Sequence, residues 1–168
     1  MRTLLSLRVL FFLVFLLVAG CRGGTAKHPN PTRPLEERRA LTVIVQAYKD
    51  VGTTPAGARD IRLPSGRPLR VDVGTQGHHY GVAFLTGAEH AQLDAKVDLP
   101  PRAPGGDLPV VQGAGADLDA VVLLLFAEDY QDDDLAGERH ETTAVTSERR
   151  LTRDVRDFLA QARLRNLP

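Results

Sequence analysis

Two groups of side chains in this sequence bring together donor atoms dense enough for chemistry, and a third supplies two scattered carboxylates and a lysine. His78-His79 with Glu89-His90 is the richest set of metal-ligand types. Imidazoles and carboxylates hold zinc when three or four of them converge. Neighbouring residues of a strand point to opposite faces, so His78 and His79 are not expected to share one ion. Glu89-His90 is not part of an H-E-x-x-H motif, because position 86 is Thr and no histidine stands at 93 or 94. Asp132-Asp133-Asp134, with Glu128, Asp129, Glu138 and Glu141 nearby, offers hard oxygens suited to calcium. A helix-loop-helix calcium loop starting at Asp132 fails at two ligand positions, where Ala136 and Thr143 stand. The third set is Asp72 with Asp94-Ala95-Lys96. Beyond the first twenty residues the serines are Ser65 and Ser147, and neither lies in G-x-S-x-G. A phosphate-binding glycine-lysine loop, a dinucleotide glycine fingerprint and a haem-attaching cysteine pair are all missing, and Gly113-Ala114-Gly115 is only a fragment of a glycine loop. The sequence therefore assigns no catalytic residue, no metal-ligand set and no cofactor. An envelope-side metal-dependent hydrolase using His78, His79, Asp72 or the Asp132 loop stands as the alternative reading.

Asp72 followed by Asp94-Ala95-Lys96 loosely resembles the PD-(D/E)xK nucleases, whose carboxylates hold magnesium. Asp72 follows Val71 instead of Pro, and the strand that should carry the second carboxylate pair, Tyr80 to Thr86, contains no acid.

Cys21 is the only cysteine, so an intramolecular disulfide is excluded. It directly follows an unbroken apolar run, Val9 to Val18, with Arg2 and Arg8 on the N-terminal side and Ala19-Gly20 as small residues at the junction. That is the three-part layout of a secretory signal. As a helix, Val9 to Ala19 rises only about 16 Å against a hydrocarbon core of about 30 Å, so a permanent span is not expected. Val18-Ala19-Gly20-Cys21 resembles the lipobox of bacterial lipoproteins. The resemblance covers the signal and its junction, and departs only in having Val18 where Leu is commoner. It implies a diacylglyceryl group on the Cys21 thiol, cleavage before Cys21 and acylation of the new amino group. It also implies a palmitate-type membrane anchor in the cell envelope. Arg22 in place of Asp after the cysteine favours the outer membrane, on its periplasmic face or at the cell surface.

The elements behind these residues follow from composition and periodicity. Removing residues 1–20 leaves a length that suits one domain, able to bury about 70% of its unfolded surface without a staple. Lys plus Arg and Asp plus Glu are 21 each, so no cationic excess points to a nucleic-acid partner. Partners are expected among the membrane, reached through acyl chains, and other envelope proteins. Residues 21–34 contain Gly, Pro and polar residues with no aliphatic cluster and read as a flexible tether, and 35–168 as one globular domain.

Leu41, Ile44, Val45 and Tyr48 share one helical face after Pro34 and Glu36-Glu37, with Gly52 ending that helix. Stretches 58–63 and 69–73 flank a turn, and Tyr80, Val82 and Phe84 alternate, predicting an antiparallel meander. Leu93, Ala95, Val97 and Leu99 alternate like an edge strand, and residues 120–127 read as a strand buried on both faces. Residues 128–140 read as a solvated acidic loop. Ser147 is the expected cap of a last helix with Leu151, Val155, Phe158 and Leu159 inward. From Asp117 to Glu141 nine acids face one arginine, a net of −8, and from Ser147 to Pro168 six arginines face three acids, a net of +3. The acidic stretch is therefore expected either near that helix or in solvent. Tyr80 and Tyr130 are the aromatic residues to look for at a binding patch if the domain is a non-catalytic accessory or binding module, with core packing the expected place of Tyr80. The fold class is α+β or α/β: a small mixed sheet with an antiparallel meander, packed by an N-terminal and a C-terminal helix.

Overall fold

A computed structural model describes residues 31–93, 95–100, 108–134 and 142–168. Cys21, the signal, most of the tether, Asp94, and Glu138 and Glu141 of the acidic stretch lie outside these residues. In chain order the elements are β1 (Arg33–Pro34), α1 (Glu37–Asp50), β2 (Pro55–Ala56), β3 (Arg59–Arg62), β4 (Pro68–Val71), β5 (Val73–Thr75) and β6 (Tyr80–Leu85). They continue with α2 (Gly87–His90), β7 (Val110–Gln112), β8 (Val121–Phe126), β9 (Gln131–Asp132) and α3 (Ala144–Leu164).

The fold is α+β around a five-stranded mixed sheet of order β2-β5-β6-β8-β7. The central pair β6 and β8 runs parallel, from Tyr80 against Val121 to Leu85 against Phe126, and the other pairings are antiparallel. Both central strands are apolar on both sides because both sides are covered. Tyr80, Val82, Phe84, Leu123 and Leu125 pack under the two long helices with Ile44, Tyr48, Leu151, Val155 and Phe158. Ala83, Leu85, Val122, Leu124 and Phe126 pack on the opposite side under Ile61, Leu63, Leu69 and Val71 of the β3–β4 hairpin. The result is three layers, helices on sheet on hairpin, which is why residues 121–126 show no alternation of polarity.

The expected meander is present but bends at Asp72. Strands β3 and β4 form their own two-stranded sheet, and after Asp72 the same chain rejoins the main sheet as β5. Gly81 sits under the bend. A Cβ there would lie 2.6 Å from Val71 Cγ1 and 2.8 Å from the Val73 carbonyl oxygen, so the crossing strand can approach only a glycine.

Four local expectations are corrected. Pro34 does not start α1; Arg33 and Pro34 pair with Asp132 and Gln131 in a two-stranded sheet, and the Leu35 N–H donates to the Tyr130 carbonyl at 2.8 Å. Ser147 does not cap α3. Thr143, one turn earlier, accepts the Thr146 N–H, and buried Ser147 donates its hydroxyl to the Gln131 carbonyl. Residues 95–98 form turns instead of an edge strand, with Leu93 and Leu99 packed against the hairpin-side core. Asp132 and Asp133 are not solvated, being 3% and 1% exposed. Asp132 receives the Arg33 guanidinium at 3.1 Å, Asp133 accepts the Thr142 N–H, and Asp134 accepts the Ala144 N–H. Their carboxylates thus join β1 to the first turn of α3, where the helix presents unpaired N–H groups.

Candidate functional site

The sequence-predicted histidines do not converge. His78 and His79 precede β6 and are exposed, whereas His90 follows it, and six strand residues rise about 20 Å. His90 stacks on Phe126 with ring centroids 4.6 Å apart, and its Nδ1 lies 3.8 Å from a Glu128 carboxylate oxygen. Among the described residues no three or more His, Cys, Asp or Glu side chains are placed to hold one metal ion.

Asp72 has a structural task. Where β4 turns away from β6, its carboxylate accepts the Phe84 N–H at 2.8 Å and so replaces a missing ladder bond. Its other oxygen faces Arg70 Nε at 3.3 Å. Burial raises the carboxyl above the ordinary aspartate range, opposed by the Phe84 N–H and the Arg70 charge. Around it lies a cleft of about 460 Å³ lined by Asp60, Arg67, Arg70, Asp72, Glu89 and Gln92, among others. Its polar groups are largely engaged. Glu89 accepts the Thr86 N–H in a capping box, and Arg67 donates to the Gln92 carbonyl. Bound groups of this kind brace a fold. Asp94, the second carboxylate of the Asp72–Asp94–Lys96 set, lies outside the described residues.

A second cleft, of about 530 Å³, was not indicated by any motif. It forms where three segments meet: the C-terminal end of α1, the β5–β6 turn and the C-terminal end of α3. Gly52 leaves α1 with φ +69°, a left-handed conformation that suits glycine, and directs Thr53 and Thr54 into the wall. The Gln76 N–H donates to the Thr54 carbonyl at 3.0 Å and holds the β5–β6 turn alongside. Thr75 ends β5, Gln76 and His78 lie in the turn and Tyr80 starts β6, while Arg163 is in the last turn of α3 and Asn166 just beyond it. Arg163 Nη2 donates to the Val51 carbonyl at 2.7 Å and to the Thr53 hydroxyl at 2.5 Å. A guanidinium thereby meets the carbonyl end of α1, the end of a helix dipole that attracts cations.

The Thr53 hydroxyl accepts a hydrogen bond from the Arg163 guanidinium, a permanent cation that cannot take up its proton. Hydroxyls, a carboxamide, an imidazole and a guanidinium together can hydrogen-bond a polar ligand. The signal missed in the sequence is the Gly-Thr-Thr that follows the first helix, which gains meaning only beside Gln76 and Arg163. Both tyrosines are core residues, as expected of Tyr80, and neither is exposed at a patch. Tyr80 is buried edge-on to Phe158 at 6.1 Å, and buried Tyr130 donates its hydroxyl to Asp154 at 2.8 Å. No family model, curated protein or solved structure matches this chain.

Proposed function

We propose that this protein is a lipid-anchored bacterial cell-envelope protein whose folded domain is a non-catalytic accessory or binding module. The observation that carries the anchor is the junction Val18-Ala19-Gly20-Cys21 at the end of an apolar run, with Cys21 the only cysteine. Acylation at Cys21 attaches two or three chains. One chain binds a bilayer only marginally, and two hold firmly. The membrane is therefore the first partner, the outer membrane is the favoured site because Arg22 follows the cysteine, and other envelope proteins are the second class of partner. Support for a binding role comes from the cleft of about 530 Å³, whose Thr54, Gln76, His78 and Arg163 can hydrogen-bond a polar ligand.

The test of the anchor is Cys21→Ser in the native host, followed by fractionation. The variant is expected to remain unprocessed or to leave the membrane fraction. A fully matured product that still sediments with membranes overturns the reading. No nucleic-acid partner, metal or cofactor is proposed.

A further inference from the structure

The outer face of α3 carries a row of arginines that the fold does not use. At about 100° per residue, Arg149, Arg153, Arg156 and Ala160 fall within an arc of about 60°. This row lies opposite the buried stripe of Leu151, Val155, Phe158 and Ala162. All four residues of the row are exposed. Arg149 and Arg156 have no hydrogen-bond or ion-pair partner among the described residues, and Arg153 shares its charge with Asp154 at 3.3 Å while staying 66% exposed. Exposed Val145 and Leu164, at 50% and 83%, flank the row at its two ends. No acid falls within the arc, the nearest on the helix being Asp157, about 40° beyond its edge.

We propose that this face of α3 lies against anionic phospholipid headgroups of the membrane to which the chain is tethered. The inference rests on the lipid-anchor reading. Charge complementarity names the partner, and the path of the chain makes the contact geometrically available. Strand β1 enters the fold beside the first turn of α3, through its pairing with β9 and the Ser147–Gln131 bond. Twelve peptide steps from Cys21 to Arg33 reach at most about 40 Å. The 21 residues of α3 span about 32 Å, so the tether is long enough for the helix to lie along the surface. Arginines within a Debye length, about 8 Å at physiological salt, feel the surface charge. Each strengthens association about fivefold, so the three together give on the order of a hundredfold. Val145 and Leu164 add apolar contact at the headgroup boundary. In this posture the β3–β4 hairpin, on the far side of the sheet, faces away from the bilayer.

The experiment places the full lipidated chain in vesicles, with Ala160→Cys carrying a fluorescent label. Cys21 is acylated and takes no label. The vesicles are phosphatidylcholine alone or phosphatidylcholine with phosphatidylglycerol, and acrylamide is the aqueous quencher. Ser65→Cys, in the β3–β4 turn, serves as the distal control. Expected is several-fold lower quenching at position 160 on the anionic vesicles, reversed by high salt and by the triple variant Arg149→Gln, Arg153→Gln, Arg156→Gln, with position 65 open throughout. The triple variant changes only exposed side chains, and an unchanged thermal melt establishes its fold. Equal quenching at position 160 on both vesicle types, or protection that survives the triple variant, overturns the proposal while leaving the anchor intact. Failure of the chain to float with either vesicle type overturns the anchor reading and this inference with it.

Discussion

Asp72 shows how a residue type that suggests chemistry can be consumed by the backbone. Its carboxylate takes the Phe84 N–H that a neighbouring strand would otherwise have taken. Asp72→Ala leaves that buried donor unpaired and is expected to cost about 1–3 kcal/mol in chemical denaturation. The carboxyl is raised in the folded protein, chiefly by burial. The folded state therefore binds its proton more tightly than the unfolded chain does, and this residue's contribution to stability grows as pH falls through its folded pKa toward the ordinary aspartate value. Asp72→Asn keeps an acceptor for Phe84 and removes the titration. Urea melts across the acid range are expected to show a flatter pH dependence at this position than the parent, and an identical profile refutes the assignment. The motif around Asp72 was legible in the sequence, but its use was not, because the missing ladder bond exists only once β4 has turned away from β6.

The bend between β4 and β5 is the element that gives the molecule its third layer. It depends on Gly81, where an added Cβ would meet both the Val71 side chain and the Val73 carbonyl oxygen at under 3 Å. Gly81→Ala is expected to destabilise by about 1–3 kcal/mol through overpacking, read as a lowered melting temperature with the helical content retained below it. A neutral result would mean that the hairpin does not cross β6 so closely. The elements themselves were largely readable. The stripe of α1, the hairpin around Ser65 and the apolar run at 121–126 follow from periodicity and turn residues. The start of α3 was misplaced because Thr143 and Ser147 are both competent caps, and the choice between them is made by Gln131 and the aspartates on the neighbouring strand.

At the scale of the whole molecule, Asp132, Asp133 and Asp134 of the acidic stretch serve as an internal brace. Asp132, Asp133 and Asp134 bind Arg33, Thr142 and the start of α3, using on the protein itself the oxygens that would have coordinated calcium. A chelator is therefore expected to leave the thermal midpoint unchanged, and an excess of calcium to raise it no further than ionic strength does. A calcium-specific rise that grows with concentration contradicts this.

What the sequence alone determined is whatever depends on covalent order: the apolar run and junction before Cys21, the single thiol, the absence of surplus positive charge, and the polarity pattern that marks helices, strands and their buried faces. Tertiary structure alone decided which polar groups meet. Gly52-Thr53-Thr54 joins Gln76 and Arg163 in one cleft, Asp132 reaches Arg33 across 99 positions of chain, and His78 and His90 are held at opposite ends of one strand. The physical reason is that burial can be read from local periodicity, because each element must hide one face or two. The pairing of distant hydrogen-bonding groups depends on how those elements cross, and no single element carries that information.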